Sequence, residues 1–170
     1  TRTSTLFPYT TLFRSPEHMW NYAAGVTHWD GEHEGHGLAM IPPRSALWLR
    51  YDGARFDPPL LAGADTRELV HRIGTSGHPW SWLLLNRKIL ERELTLQGAT
   101  FNPAFREHSW LQLGKELALG HRALAQTFLE RCPDVVHAPH LDRLIERMQA
   151  LTPQVALNPA AIHGAIQHFD

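Results

Sequence analysis

The 170-residue sequence has one cysteine, Cys132. A lone thiol builds neither a disulfide framework nor a cysteine-based zinc site, and a reducing, cytoplasmic location is the mild expectation. Excess charge of either sign is also missing: 16 Lys and Arg stand against 17 Asp and Glu, a formal net charge of −1. The two signs are interspersed, so there is no electrostatic footprint for nucleic acid or an anionic membrane, and neither partner is expected. No apolar run approaches the roughly 20 residues a membrane helix needs, so a soluble chain is expected. The usual signatures of chemistry are absent as well. There is no phosphate-binding glycine loop, no G-x-G-x-x-G after a strand, no G-x-S-x-G elbow and no H-E-x-x-H helix. What is present is the length of one domain, 43% hydrophobic content and six Trp, enough for a substantial core.

The strongest local signal runs from Leu47 to Phe56. Leu47, Leu49 and Tyr51 alternate with Trp48 and Arg50, and Asp52-Gly53 offers the two positive-φ positions of a type I′ turn. The pattern predicts a β-hairpin closed by Ala54-Arg55-Phe56. Around it an α+β fold is expected, with short strands and several helices. Residues 38–41 and 80–85 read as extended. Helices are expected over 66–73, 86–94, 109–117, 121–131, 141–148 and from Pro159 onward. Asp65 and Asn158 are the expected N-caps, with Pro159 at the first helical position and Leu157 placed to pack on Ile162. These apolar stripes are read as core. Residues 18–22 are expected to form a short aromatic strand with Trp20 and Tyr22 on one face.

Two stretches call for a different reading. Residues 5–15 look like the translation of a sequencing-library adapter, so 1–15 are expected to be an artefact that takes no part in the fold. Residues 16–170 are then expected to be part of a longer protein. The second stretch, residues 27–37, holds three His, two Glu and three Gly. That composition predicts a loop. His28, His33 and His36 could bind zinc in a small stand-alone ligand- or metal-binding module, but their spacing fits no recognised ligand signature, and no metal site is assigned. A solvated or pocket-lining polar loop is the commoner role.

Several segments, in order, resemble bacterial FAD-binding dehydrogenases of the flavoprotein superfamily that includes fumarate reductases and 3-ketosteroid 1-dehydrogenases. Met19-Trp20-Asn21-Tyr22 with Gly25 and Trp29-Asp30 is similar to an M-W-x-Y-x-x-G…W-D segment. His36-Gly37, Pro42 and Ser45-Ala46-Leu47-Trp48 with Asp52, Gly53 and Arg55 resemble an H-G…P-x-x-S-S-L-W hairpin. Trp82, Lys88-Ile89-Leu90-Glu91 and Asn102-Pro103 look like W-F-V-L-T-x-K-I-I-E…N-P, and Leu141 to Thr152 with Asn158-Pro159 resembles a recurrent helix pair.

The resemblance covers about residues 18–170 and implies an internal piece, the substrate-side or cap region, without the N-terminal dinucleotide-binding and C-terminal flavin segments. It implies FAD in the full-length parent, weak or no FAD binding by this piece alone, and a piece inactive by itself. The parent would pass a hydride from a C–H bond of a small-molecule substrate to flavin. The fumarate reductases' Q-x-H-P segment and Arg pair have no counterpart here, where Asn21-Tyr22-Ala23 and Pro42-Pro43 stand instead. An apolar substrate is therefore expected, with Trp20, Tyr22, Trp29 and His36 lining its pocket. The catalytic base and the oligomeric state are not assigned.

Overall fold

The computed structural model describes residues 24–29, 34–61, 65–96 and 121–169. In chain order these form strands β1 (Ala24–Thr27), β2 (Gly37–Ile41) and β3 (Leu47–Leu49), helix α1 (Thr66–Gly74), strand β4 (Trp82–Leu84), helix α2 (Arg87–Glu93), strand β5 (Thr95–Leu96), and helices α3 (Arg122–Arg131), α4 (Leu141–Leu151) and α5 (Pro159–Gln167). The class is α+β, as the residue pattern predicts. The adapter-like head, the expected 18–22 strand and the expected 109–117 helix lie outside the described residues.

The helix ends follow their caps. The side chains of Asp65, Asn86 and Asn158 accept from the backbone N–H of Arg67, Ile89 and Ala161, each filling one of the donors a helix start leaves open. Leu157 and Ile162 are both buried in one apolar cluster, the placement expected of a hydrophobic staple around the Asn158 cap.

Two small antiparallel sheets organise the core. The first has the order β1-β2-β5, with Val26 opposite Leu38 and Met40 between Ala24 and Leu96. Its apolar face packs on Leu90 and Leu94 of the α2 segment and on Ala125 and Phe128 of α3. The second pairs β3 with β4, Leu47 opposite Leu84 and Leu49 opposite Trp82. Because side chains alternate along a strand, Leu47 and Leu49 meet Ile145, Met148, Ile162 and Ala165 of α4 and α5, while Trp48 turns the other way onto Phe56, Leu60, Leu69 and Ile73. The β3–β4 ribbon is thus covered on both faces, by α4–α5 on one side and by α1 on the other. A fully buried side chain such as Leu49 or Ile162 contributes about 1.5–3 kcal/mol by leaving water.

The Leu47–Phe56 stretch does fold back, but not through the expected two-residue turn. Arg50 N donates to Ala54 O at 2.7 Å and Gly53 N to Arg50 O at 3.0 Å, so the loop is the three residues Tyr51, Asp52 and Gly53, with Gly53 at φ 85°. Two contacts favour this longer loop. The Asp52 carboxylate accepts from Ala54 N at 3.1 Å, and the Asp52 carbonyl accepts from Asn158 N at 3.0 Å, which ties the turn to the start of α5. The arm after the turn touches β3 through the Leu49–Arg55 bridge, whereas the continuous partner of β3 is β4. All three β3 residues are buried, so the strand gains more from Trp-Leu-Leu beside it than from Ala-Arg-Phe.

Candidate functional site

The β1–β2 hairpin carries the described part of the His-rich loop. Its neck is closed by backbone hydrogen bonds from His28 N to His36 O at 2.6 Å and from Gly35 N to His28 O at 2.7 Å. The strands then diverge in their environment. Trp29 is 5% exposed and lies edge-on to Phe128, with ring centroids 5.5 Å apart, inside the cluster that joins the first sheet to α3. His28 is also buried, its ring centroid 6.3 Å from that of Trp29, while His36 is exposed at the loop end.

A clasp holds this hairpin to the chain after α3. Asp134 accepts from Thr27 N, Cys132 is buried against Thr27 O, and Arg131 reaches the Trp29 carbonyl. Burial pushes the Cys132 thiol up to about 12, so it is neutral at physiological pH and unsuited to nucleophilic work.

Of the four residues the pattern assigns to a pocket, the structure therefore describes two, one packed in the core and one at the surface. Trp20 and Tyr22 lie outside the described residues. Among the described residues no group of three His, Cys, Asp or Glu comes together as a metal cluster.

A second set of aromatic groups was missed by the sequence reading. Tyr51 of the turn, His78, Trp80 and Trp82 form a continuous half-buried face. Tyr51 and His78 are 4.5 Å apart between centroids, and Trp80 meets Trp82 at 5.3 Å with the rings nearly perpendicular. Trp82 Nε1 donates to Tyr51 O at 3.1 Å, locking the strand to the turn. The signal was available in Trp80 and Trp82, two residues apart on an expected strand and so on one face. Such a surface offers apolar area and edge-to-face partners to a flat, ring-shaped molecule.

Every strand pairing among the described residues is antiparallel, and no glycine turn joins a strand to a helix start. These residues do not form a dinucleotide cradle of the strand–glycine turn–helix kind. Among them, too, no helix is long and apolar enough to cross a membrane.

An α+β arrangement with antiparallel sheets and an aromatic face defines the class. Comparison with known proteins then shows what the chain is similar to. Over 157 residues, 92% of this chain, it is 36% identical to proteins named KsdD-like steroid dehydrogenase from two strains of Mycobacterium tuberculosis. It is 32% identical over 154 residues, 91% of the chain, to the KsdD-like steroid dehydrogenase of Mycolicibacterium smegmatis. The chain spans about 28% of the length of these relatives. No family model and no solved structure matches the chain.

Proposed function

We propose that this chain is the substrate-side piece of an FAD-dependent dehydrogenase that removes a hydride from a C–H bond of an apolar, steroid-like substrate. The observation that carries the reading is the likeness over 92% of the chain to proteins named steroid dehydrogenases. The half-buried face of Tyr51, His78, Trp80 and Trp82 supports the substrate class, since fused apolar rings bind by area and offer few polar handles. Residues 16–170 are the protein proper in this proposal and 1–15 an adapter-derived head.

Trp20, Tyr22, Trp29 and His36 are the residues proposed for the substrate side. Trp29 acts from within the core as support for the hairpin, and His36 stands at its exposed end. FAD would accept the hydride, and it would be held by parts of the parent other than the described residues. What this chain contributes is shape and water exclusion. A stiff ribbon, fixed by helices on both faces, presents aromatic rings whose positions are set by packing.

The test is to express the full-length parent with Trp80→Ala and measure steroid-dependent reduction of a dye acceptor. A raised KM for the steroid, with the flavin content unchanged, supports the proposal. Kinetics identical to those of the unaltered parent would remove the aromatic face from the substrate side.

A further inference from the structure

The turn after β3 and the C-terminal end of α1 flank an open cleft of about 260 Å3 lined by Arg50, Arg55, Arg72, Thr75 and Ser76, with Phe56 and Asp57 completing its wall. Three arginines line this space. Asp57 is the one carboxylate of the lining, and Asp52 pairs with Arg50 from outside it at 3.2 Å, so the cleft stays positive.

An aromatic ring lies under each of the three guanidinium groups, and Arg50 pairs with the Asp52 carboxylate as well. Arg50 lies over the Tyr51 ring at 5.4 Å, Arg55 over Phe169 at 5.8 Å, and Arg72 over Phe56 at 5.8 Å while donating to Pro58 O. Arg50 Nε is buried and has no hydrogen-bond partner among the described residues, a donor that costs free energy until an acceptor meets it. The negative end of α1 is quieted beside them. Thr75 Oγ1 donates to His71 O and Ser76 Oγ to Ile73 O, both at 2.8 Å, which covers carbonyls that would otherwise repel an anion.

We propose that this cleft binds a phosphate-type oxyanion, the phosphate or pyrophosphate group of a small ligand. Three planar forks, two from the sides of one turn and one from α1, suit an anion that offers oxygens in several directions, which a flat carboxylate does not. The site is separate from the proposed hydride chemistry, but Arg50 touches Tyr51, so the body of the ligand would have the aromatic face beside it.

The experiment is a 31P linewidth titration of inorganic phosphate with the 170-residue chain at constant ionic strength. Pyrophosphate and then acetate serve as competitors. Arg55→Gln tests the cleft, because the guanidinium it removes rests on the exposed Phe169 ring and not in the core. Arg143→Gln, on the solvent side of α4, is the control for net charge.

The expected result is saturable broadening that pyrophosphate reverses and equimolar acetate does not. Arg55→Gln should weaken it by about tenfold or more, the usual effect of losing a charge-assisted contact, and Arg143→Gln should leave it unchanged. Absence of broadening, equal competition by acetate, or equal weakening by the two substitutions would each overturn the proposal.

Discussion

Replacing Gly53 by Ala tests whether the turn after β3 is held against α5 as described. Gly53 sits at φ 85°, and a Cβ added there would lie 2.7 Å from Ile162 Cγ1 and 2.8 Å from its Cδ1. Two costs combine. A left-handed backbone costs an L-residue about 1–2 kcal/mol. Forcing a methyl into a packed site costs about 1–3 kcal/mol more, since Ile162 is fully buried between α4 and the β3–β4 ribbon and has nowhere to yield. The sum is about 2–5 kcal/mol, a large share of the 5–15 kcal/mol that a domain has in total.

Gly35→Ala separates the two terms. Gly35 has nearly the same φ, 82°, but nothing lies within 4 Å of its added Cβ. It should lose only the backbone part, about 1–2 kcal/mol. Urea unfolding of both variants, compared at the midpoint with unchanged slope, reads the difference. If Gly53→Ala and Gly35→Ala destabilise equally, or if Gly53→Ala costs under about 0.5 kcal/mol, the docking of this turn on Ile162 is refuted.

Three other outcomes are expected. Asn158→Ala removes the acceptor for Ala161 N at 3.1 Å and should cost about 0.5–2 kcal/mol in the same unfolding assay, with Asn158→Asp nearly neutral. Glu93 accepts from Ser45 Oγ at 2.6 Å and from Ser45 N at 3.0 Å, and these bonds hold its carboxyl below the usual carboxylate range. A depressed folded-state value means stability that is present above the ordinary carboxylate pKa and lost as pH falls through the folded one. Ser45→Ala should therefore narrow the stability gap between neutral and acidic pH, and an unchanged pH profile would contradict the link. Cys132, with its thiol pushed up to about 12, should react with a disulfide reagent at pH 8 only after denaturant is added, and rapid labelling of the native chain would deny its burial.

Local chemistry was legible in the sequence, and long-range pairing was not. The helices at 66–74, 87–93, 122–131, 141–151 and 159–167 follow apolar spacing and, at the first and last, the expected caps Asp65 and Asn158, both of which are written within a few residues, whereas Asn86 caps a helix it was expected to sit inside. The turn at Tyr51-Asp52-Gly53 was misjudged because Asp-Gly alone satisfies the two-residue pattern. The bond from Asn158 N, more than a hundred positions away, favours the longer loop, and no local window contains it. For the same reason β5, only two residues long, carries no local signal, since its pairing with Met40 and Ile41 comes from a distant segment.

The candidate site shows the same division. Trp29 was singled out by type and by resemblance, but its burial against Phe128 depends on α3 folding back onto the first sheet. The face of Tyr51, His78, Trp80 and Trp82 needed the pairing of β3 with β4 before its members became neighbours. Residue type and alternation suggest only an extended apolar run over 80–85. Which rings meet was decided by the ribbon and the turn.

The central claim, a piece of a flavin-dependent dehydrogenase, is tested most directly by the visible absorption spectrum of the purified full-length parent, recorded anaerobically before and after a 3-ketosteroid is added. A yellow protein whose flavin band bleaches on addition of the steroid is the predicted result. A colourless protein, or a flavin band that no steroid bleaches, would contradict it.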